Sequence, residues 1–200
     1  MTTVFIAGSI SIRQLAPKVQ ERIMNIVRQD FEIVVGDADG VDTLIQQFLQ
    51  DLKYPRVTLF CTGNAPRNKL GNWPVQPVAS RHAPGSRAYF TAKDLAMAEA
   101  ADSGLMIWDA RSSGTLSNVI ELLDRKKYCW TFVDTQQVFH AVKGAAALEA
   151  LIEYMTPSAR RQAEARIGLG KKMAALSSRE QQMSLLREDA HTAQSSYAPA

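Results

Sequence analysis

The sequence predicts an α/β protein: a doubly wound, Rossmann-like sheet of about five mainly parallel strands, with helices on both faces and a helical C-terminal extension. Three observations lead there. Short, nearly all-apolar runs alternate through residue 155 with stretches whose apolar residues recur at helical spacing. Strands apolar on both sides belong to a covered parallel sheet, which right-handed crossovers wind in both directions. Composition agrees, because 46% hydrophobic and 22% charged residues in 200 support a buried core and exclude a disordered, collagen-like or disulfide-stapled chain.

The elements follow in order. Val4 to Ala7 is a strand ending at Gly8, and Leu15, Val19, Ile23, Ile26 and Val27 recur as a helix. Glu32 to Val35 is a second strand, closed by Gly36. Val41, Leu44, Ile45, Phe48, Leu49 and Leu52 then share one helical face. Arg56 to Cys61 is a third strand and Gly104 to Trp108 a fourth. Leu116, Val119, Ile120 and Leu123 mark a helix before a fifth strand, Tyr128 to Val133, and Ala145 to Tyr154 closes the domain as a helix.

Two segments break the alternation. Residues 63–90 form a long connector containing Pro66, Pro74, Pro77 and Pro84, expected to be irregular. Beyond Thr156-Pro157 the chain is helix-prone, with a seam of Leu169, Met173, Leu176 and Met183 interrupted by Glu180 and Arg187; its last ten residues are expected to fray. The division is therefore residues 1–155 and an extension over 156–200. The extension carries seven Lys/Arg against four Asp/Glu, while the first 155 residues hold sixteen of each. A neutral body disfavours sequence-independent duplex binding, so nucleic acid is an open but unfavoured partner.

No apolar run is long enough to span a bilayer, and the N-terminus lacks the basic stretch of a signal peptide. Cys61 and Cys129 both sit in apolar strands. A cytoplasmic address, without membrane association, is the expectation. His82, His140 and His191 are isolated from one another and from any cysteine pair, so neither a metal nor a cofactor is expected.

Ligands of doubly wound sheets bind beyond the carboxyl ends of the strands, which directs attention to the turns there. Gly8-Ser9-Ile10-Ser11 offers a close backbone approach and two hydroxyls, or simply a helix cap. Gly36-Asp37-Ala38-Asp39-Gly40-Val41-Asp42 places three acids at a helix start; Asp39 can cap it and Asp42 favours its dipole, and the acids could accept from ribose hydroxyls or a base edge. Ser112-Ser113-Gly114-Thr115, with Asn118 beyond, follows Trp108-Asp109 and forms either a phosphate cradle or a well-capped helix; its spacing fits neither a Walker A loop nor a dinucleotide fingerprint. The connector holds Arg67, Lys69, Arg81, His82 and Arg87 among Trp73, Tyr89 and Phe90, with no acid, as in a cationic flap that pairs with phosphate and stacks on a base. Thr91-Ala92-Lys93-Asp94 reads as a helix start with Asp94 as cap and Lys93 solvated.

Gly8-Ser9, the Gly36 to Asp42 turn, and Lys93-Asp94-Leu95-Ala96-Met97 leading through Ala101-Asp102 to Trp108-Asp109 and Ser112-Ser113-Gly114-Thr115 together resemble the SLOG superfamily. That group includes the Lonely Guy phosphoribohydrolases, the DNA-processing A proteins and nucleotide-sensing branches. The likeness spans about residues 3–135 and is nearest the branch related to the YpsA proteins, often carried by phages or mobile elements. It implies a Rossmann-like domain binding a nucleotide or nucleotide-derived ligand through Gly8, Ser9, Ser11, Gly36, Asp37, Ala38, Asp39, Gly40, Asp42, Arg87, Lys93, Asp94, Ser112, Ser113, Gly114, Thr115 and Asn118. Lonely Guy enzymes carry Pro-Gly-Gly-x-Gly-Thr-x-x-Glu with a catalytic glutamate. Here Asn118 stands at the glutamate position, where an amide cannot serve as carboxylate base.

Three functions stay open at this stage. The first is binding of a nucleotide-derived ligand, as a sensor or signal-handling module. The second is cleavage or transfer at an N-glycosidic bond, with Asp37, Asp39 or Asp94 supplying the carboxylate. The third is single-stranded DNA handling with the basic extension as contact arm. The extension's seam also predicts a homo-oligomer, since an isolated helix of this kind needs a partner surface.

Overall fold

Apolar strands bounded by glycine and capped amphipathic helices resolve into a seven-stranded sheet of order β4-β3-β2-β1-β5-β6-β7. The computed structural model describes residues 1–195, with side chains described as far as Met183. The strands are β1 (Thr3–Gly8), β2 (Glu32–Val35), β3 (Val57–Thr62), β4 (Val75–Val78), β5 (Ser103–Trp108), β6 (Cys129–Val133) and β7 (Val138–Val142). All pairings are parallel except β6 with β7.

Alternation along each strand builds two cores. Val4 and Ile6 face α1 (Pro17–Arg28) and α2 (Val41–Asp51), where Ile23, Ile45 and Leu49 are buried. Phe5 and Ala7 face the opposite layer of α3 (Arg87–Ala100), α4 (Ser113–Asp124) and α5 (Ala145–Ile152). This covering explains why the strands lack polar faces. The winding reverses between β1 and β5, so their carboxyl ends diverge at the point where doubly wound folds open a crevice.

The sheet has more strands than expected because two were not recognised. β4 lies in the connector expected to be irregular, and it tolerates Pro77 because it is an edge strand bonded only to β3. β7 folds back as a hairpin on β6, its register pairing Phe132 with Phe139 and Thr131 with His140. Helix α3 begins four residues before Thr91: Ser86 is its N-cap, accepting from Tyr89 N at 3.1 Å. Asp94 is therefore mid-helix and caps nothing.

The extension forms α6 (Pro157–Ile167) and α7 (Leu169–Ser195). Thr156 caps α6 by accepting from Ala159 N at 3.2 Å, and Gly168 ends it at φ 61°. Ala159, Ala163, Leu169 and Leu176 are buried in the same core as α4 and α5. Of the seam expected to await a second subunit, Leu169 and Leu176 are thus buried within the chain, and Met173 packs against the same core. Glu180, read as an interruption, accepts from Ala145 N at 2.9 Å and caps α5 from outside. Of the ten terminal residues expected to fray, 191–195 continue α7 and the rest lie outside those described, as does the side chain of Arg187. No described helix is long and apolar enough to cross a membrane.

Candidate functional site

A cavity of about 910 Å³ opens at the carboxyl end of the sheet, over Gly8 and beside the first turn of α4. Its size lies within the range of small-molecule sites. Three sets of side chains shape it.

The first set joins β1 to β5. Asp109 accepts from the hydroxyls of Ser9 at 3.0 Å and Ser11 at 2.6 Å, and from the amides of Arg111 at 2.9 Å and Ser112 at 2.7 Å. Burial acts to raise the Asp109 carboxyl pKa, but these bonds outweigh it and hold the pKa below the ordinary value. The Ser9 and Ser11 hydroxyls therefore bind the turn together through Asp109, and they cap no helix. Gly8 is required by close approach, since a Cβ there would meet Ile107 O and the Val41 side chain.

The second set surrounds Lys93, which is buried rather than solvated. Its ammonium lies 2.9 Å from Asp94 Oδ1, 3.7 Å from Asp42 Oδ2 and 3.8 Å from Asp37 Oδ1. Desolvation lowers the Lys93 pKa, but the three carboxylates raise it further, leaving it above its ordinary value. Burial pushes Asp42 up to about 6 despite Lys93. Gly36 is required here because a Cβ would collide with the Asp42 carboxylate and the Lys93 ammonium.

Asp37 is spent on the connector. It accepts from Arg67 Nη2 at 2.7 Å and Arg67 N at 3.0 Å. Burial acts to raise its pKa, yet Arg67 and Lys93 bring it below the ordinary value. Asp39 accepts from Asn68 at 3.0 Å and makes no cap bond to α2, whose N-cap is Gly40. Buried Gln46 completes the clasp by donating to Gly36 O at 3.0 Å and accepting from Leu70 N at 3.0 Å. The connector is accordingly pinned at residues 67–70. Trp73, expected to be free for stacking, is buried and donates to Tyr54 O at 2.8 Å. Arg67 stacks instead on Phe90, 4.1 Å from the ring centre.

The third set is the start of α4. Ser112 is the N-cap and accepts from Thr115 N at 3.3 Å. Among the described residues the amides of Ser113 and Gly114 have no partner. A Cβ on Gly114 would meet nothing nearer than Ser112 Oγ at 3.7 Å, so packing does not require a glycine there. Arg87 donates to Ser113 Oγ at 3.3 Å. Asn118 is 9% exposed and lines the cavity, yet its amide makes no hydrogen bond among the described residues.

Of the residues singled out in the sequence, Gly8, Ala38, Asp42, Arg87, Lys93, Asp94, Ser112, Ser113, Gly114, Thr115 and Asn118 line the cavity. Ser9, Ser11, Gly36, Asp37, Asp39 and Gly40 are not among its lining residues and shape the neighbouring turns. Sequence reasoning missed Gln162, Arg166 and Lys172, cavity-lining side chains from the extension. Only the basic excess of that segment signalled them. Asp109 was within a recognised motif, but its hydrogen bonds to residues about a hundred positions away were not visible there.

No family model and no curated protein matches this sequence. A solved structure of DNA processing protein A from Helicobacter pylori, described for its single-stranded DNA binding mode, has a similar fold. Its TM-score is 0.50 at 14% identity, covering 82% of this chain and 79% of that one. At this identity the likeness is one of fold. It agrees with the Rossmann-like architecture and leaves the chemistry to the residues themselves.

Proposed function

We propose that this chain is a SLOG-type protein that binds a nucleotide or nucleotide-derived ligand in the cavity, as a sensor or signal-handling module. Its phosphate sits on the amides of Ser113 and Gly114 beside Arg87, where the α4 dipole favours an anion. Asn118 and Asp94 face the remainder of the ligand and read its hydroxyls or base edge. The observation that carries this reading is Asn118. Its amide makes no hydrogen bond among the described residues and its polar atoms open to the cavity, where a ligand can pair with them. Mass spectrometry of small molecules released from the purified protein should identify a nucleotide. Gly114→Val, which packing tolerates, should abolish its retention; equal retention by that variant would place the ligand elsewhere.

Two other readings have one observation each. Of the three candidate catalytic acids, only Asp94 lines the cavity, so N-glycosidic cleavage would use that carboxylate. Release of free base from nucleoside monophosphates, lost in Asp94→Asn, would establish it. Single-stranded DNA handling rests on the neighbour's described activity and on cationic Arg67, Arg87, Arg111, Arg166 and Lys172 around the cavity. Tighter binding of an oligonucleotide than of any mononucleotide would favour it.

A further inference from the structure

We propose that the C-terminal extension is part of this site: Arg166 of α6 and Arg87 of α3 form a two-guanidinium clamp over the start of α4, selecting ligands that end in a dianionic phosphate monoester. The inference rests on the nucleotide reading above and names the charge state and terminus of the ligand.

Helix geometry places Arg166. Ala159 and Ala163, one turn apart, are buried against the core layer that includes α4, and their small side chains permit close approach. Gln162 and Arg166, also one turn apart, then lie on the adjacent face and line the cavity. The corner after them is well defined. Gly168 adopts φ 61°, and Glu164 accepts from Gly170 N at 2.7 Å. Leu169 and Leu176 anchor α7 in the core, and Arg179 lies 3.3 Å from Asp124. The extension therefore presents Arg166 from a packed helix rather than a loose tail.

Charge shows what the pair would hold. Burial draws the Arg87 pKa below its ordinary value, and the like charge of Arg166 draws it lower still. The two guanidiniums thus repel each other across the cavity. Neither makes an ion pair among the described residues. Asp94, along α3, partly offsets the charge on Arg87 but is paired with Lys93 at 2.9 Å; Asp109 holds the Ser9 and Ser11 hydroxyls, and Glu164 holds Gly170 N. An anion between the guanidiniums and the free amides of α4 removes the repulsion. A phosphate monoester offers two charges and three terminal oxygens to two forked donors, whereas a diester offers one charge and two free oxygens.

Reach supports the assignment. Asn118 lies one turn beyond Gly114 on α4, buried and unpartnered, facing the same cavity. Asp94 lies two turns beyond Arg87 on α3, roughly 10 Å along the axis. A phosphate held at Arg87 and Arg166 leaves sugar and base to span that distance.

The test is calorimetric titration of the full chain with inorganic phosphate, ribonucleoside 5′-monophosphates, the matching nucleosides and the 3′,5′-cyclic monophosphates. Arg166→Ala and Arg166→Lys are compared with wild type; the side chain is exposed, so folding should be retained and is checked by circular dichroism. The 5′-monophosphates should bind at least about tenfold tighter than the cyclic forms. Arg166→Ala should lose about tenfold or more of that affinity, with weak nucleoside binding unmoved and Arg166→Lys recovering only part. Nucleotide binding that is unchanged in Arg166→Ala, or equal for cyclic and open forms, would overturn the clamp and leave the nucleotide reading standing. Arg166-dependent binding of inorganic phosphate without any nucleotide binding would support the clamp and overturn the nucleotide reading. Binding of none of these probes would overturn both.

Discussion

The Lys93 ammonium lies 3.7 Å from the Asp42 carboxylate, and both side chains are buried, although α3 and α2 cover opposite faces of the sheet. Asp37 and Asp94 complete the surround. One cation thus holds together three acids drawn from one turn and two helices. Removing it leaves buried carboxylates facing each other. Lys93→Met should cost about 3–5 kcal/mol in urea unfolding at neutral pH. The loss should shrink near pH 5, where Asp42 is protonated; a loss under 1 kcal/mol at neutral pH, or one independent of pH, would contradict this arrangement.

Asp42 also predicts a pH dependence of its own. Its folded pKa of about 6 exceeds the ordinary 3.8, so the folded state holds the proton more tightly. This contribution is fully present below the ordinary value and is lost as pH rises through about 6. Relative to Asp42→Asn, wild type should lose about 2–3 kcal/mol between about pH 4 and pH 7. Asp37 and Asp109 act oppositely. Their folded pKa values are depressed, so their contribution is present above the ordinary value and disappears as pH falls through the depressed values.

The extension should be part of the folding unit. Leu176 of α7 is buried in the core, and Leu176→Ala should destabilise by about 2–5 kcal/mol. A chain ending at Met155 should melt at a lower temperature and expose the core covered by Ala159, Ala163 and Leu169. Unchanged melting would mean that the extension packs without contributing to stability.

Two glycines should behave oppositely. Gly8→Ala brings a Cβ against Ile107 O and within 2.8 Å of the Val41 side chain, and should cost about 1–3 kcal/mol or more. Gly114→Ala has open space above it and should change stability by less than about 1 kcal/mol. Ligand binding is its sensitive readout. Equal destabilisation of both variants in urea unfolding would contradict the packing described.

The sequence by itself determined the sheet class, because strands buried on both faces must be apolar on both sides. It also marked the turns after β1, β2 and β5, where glycines and hydroxyls interrupt that pattern. Local pattern could not assign β4, since Pro77 is tolerated only where one strand edge is free, a property of strand order. Nor could it tell which polar side chains would line the cavity. Asp37, Ser9 and Ser11 look like ligand groups in the chain, but folding turns them toward Arg67 and Asp109. Lys93 looks solvated beside Asp94 until α3 packs it against Asp42. Only the tertiary structure brought Arg166 to the cavity that Arg87 lines, because α6 docks there through two alanines. Burial, charge pairing and reach across the cavity are set by packing between distant segments, and one-dimensional spacing carries no record of them.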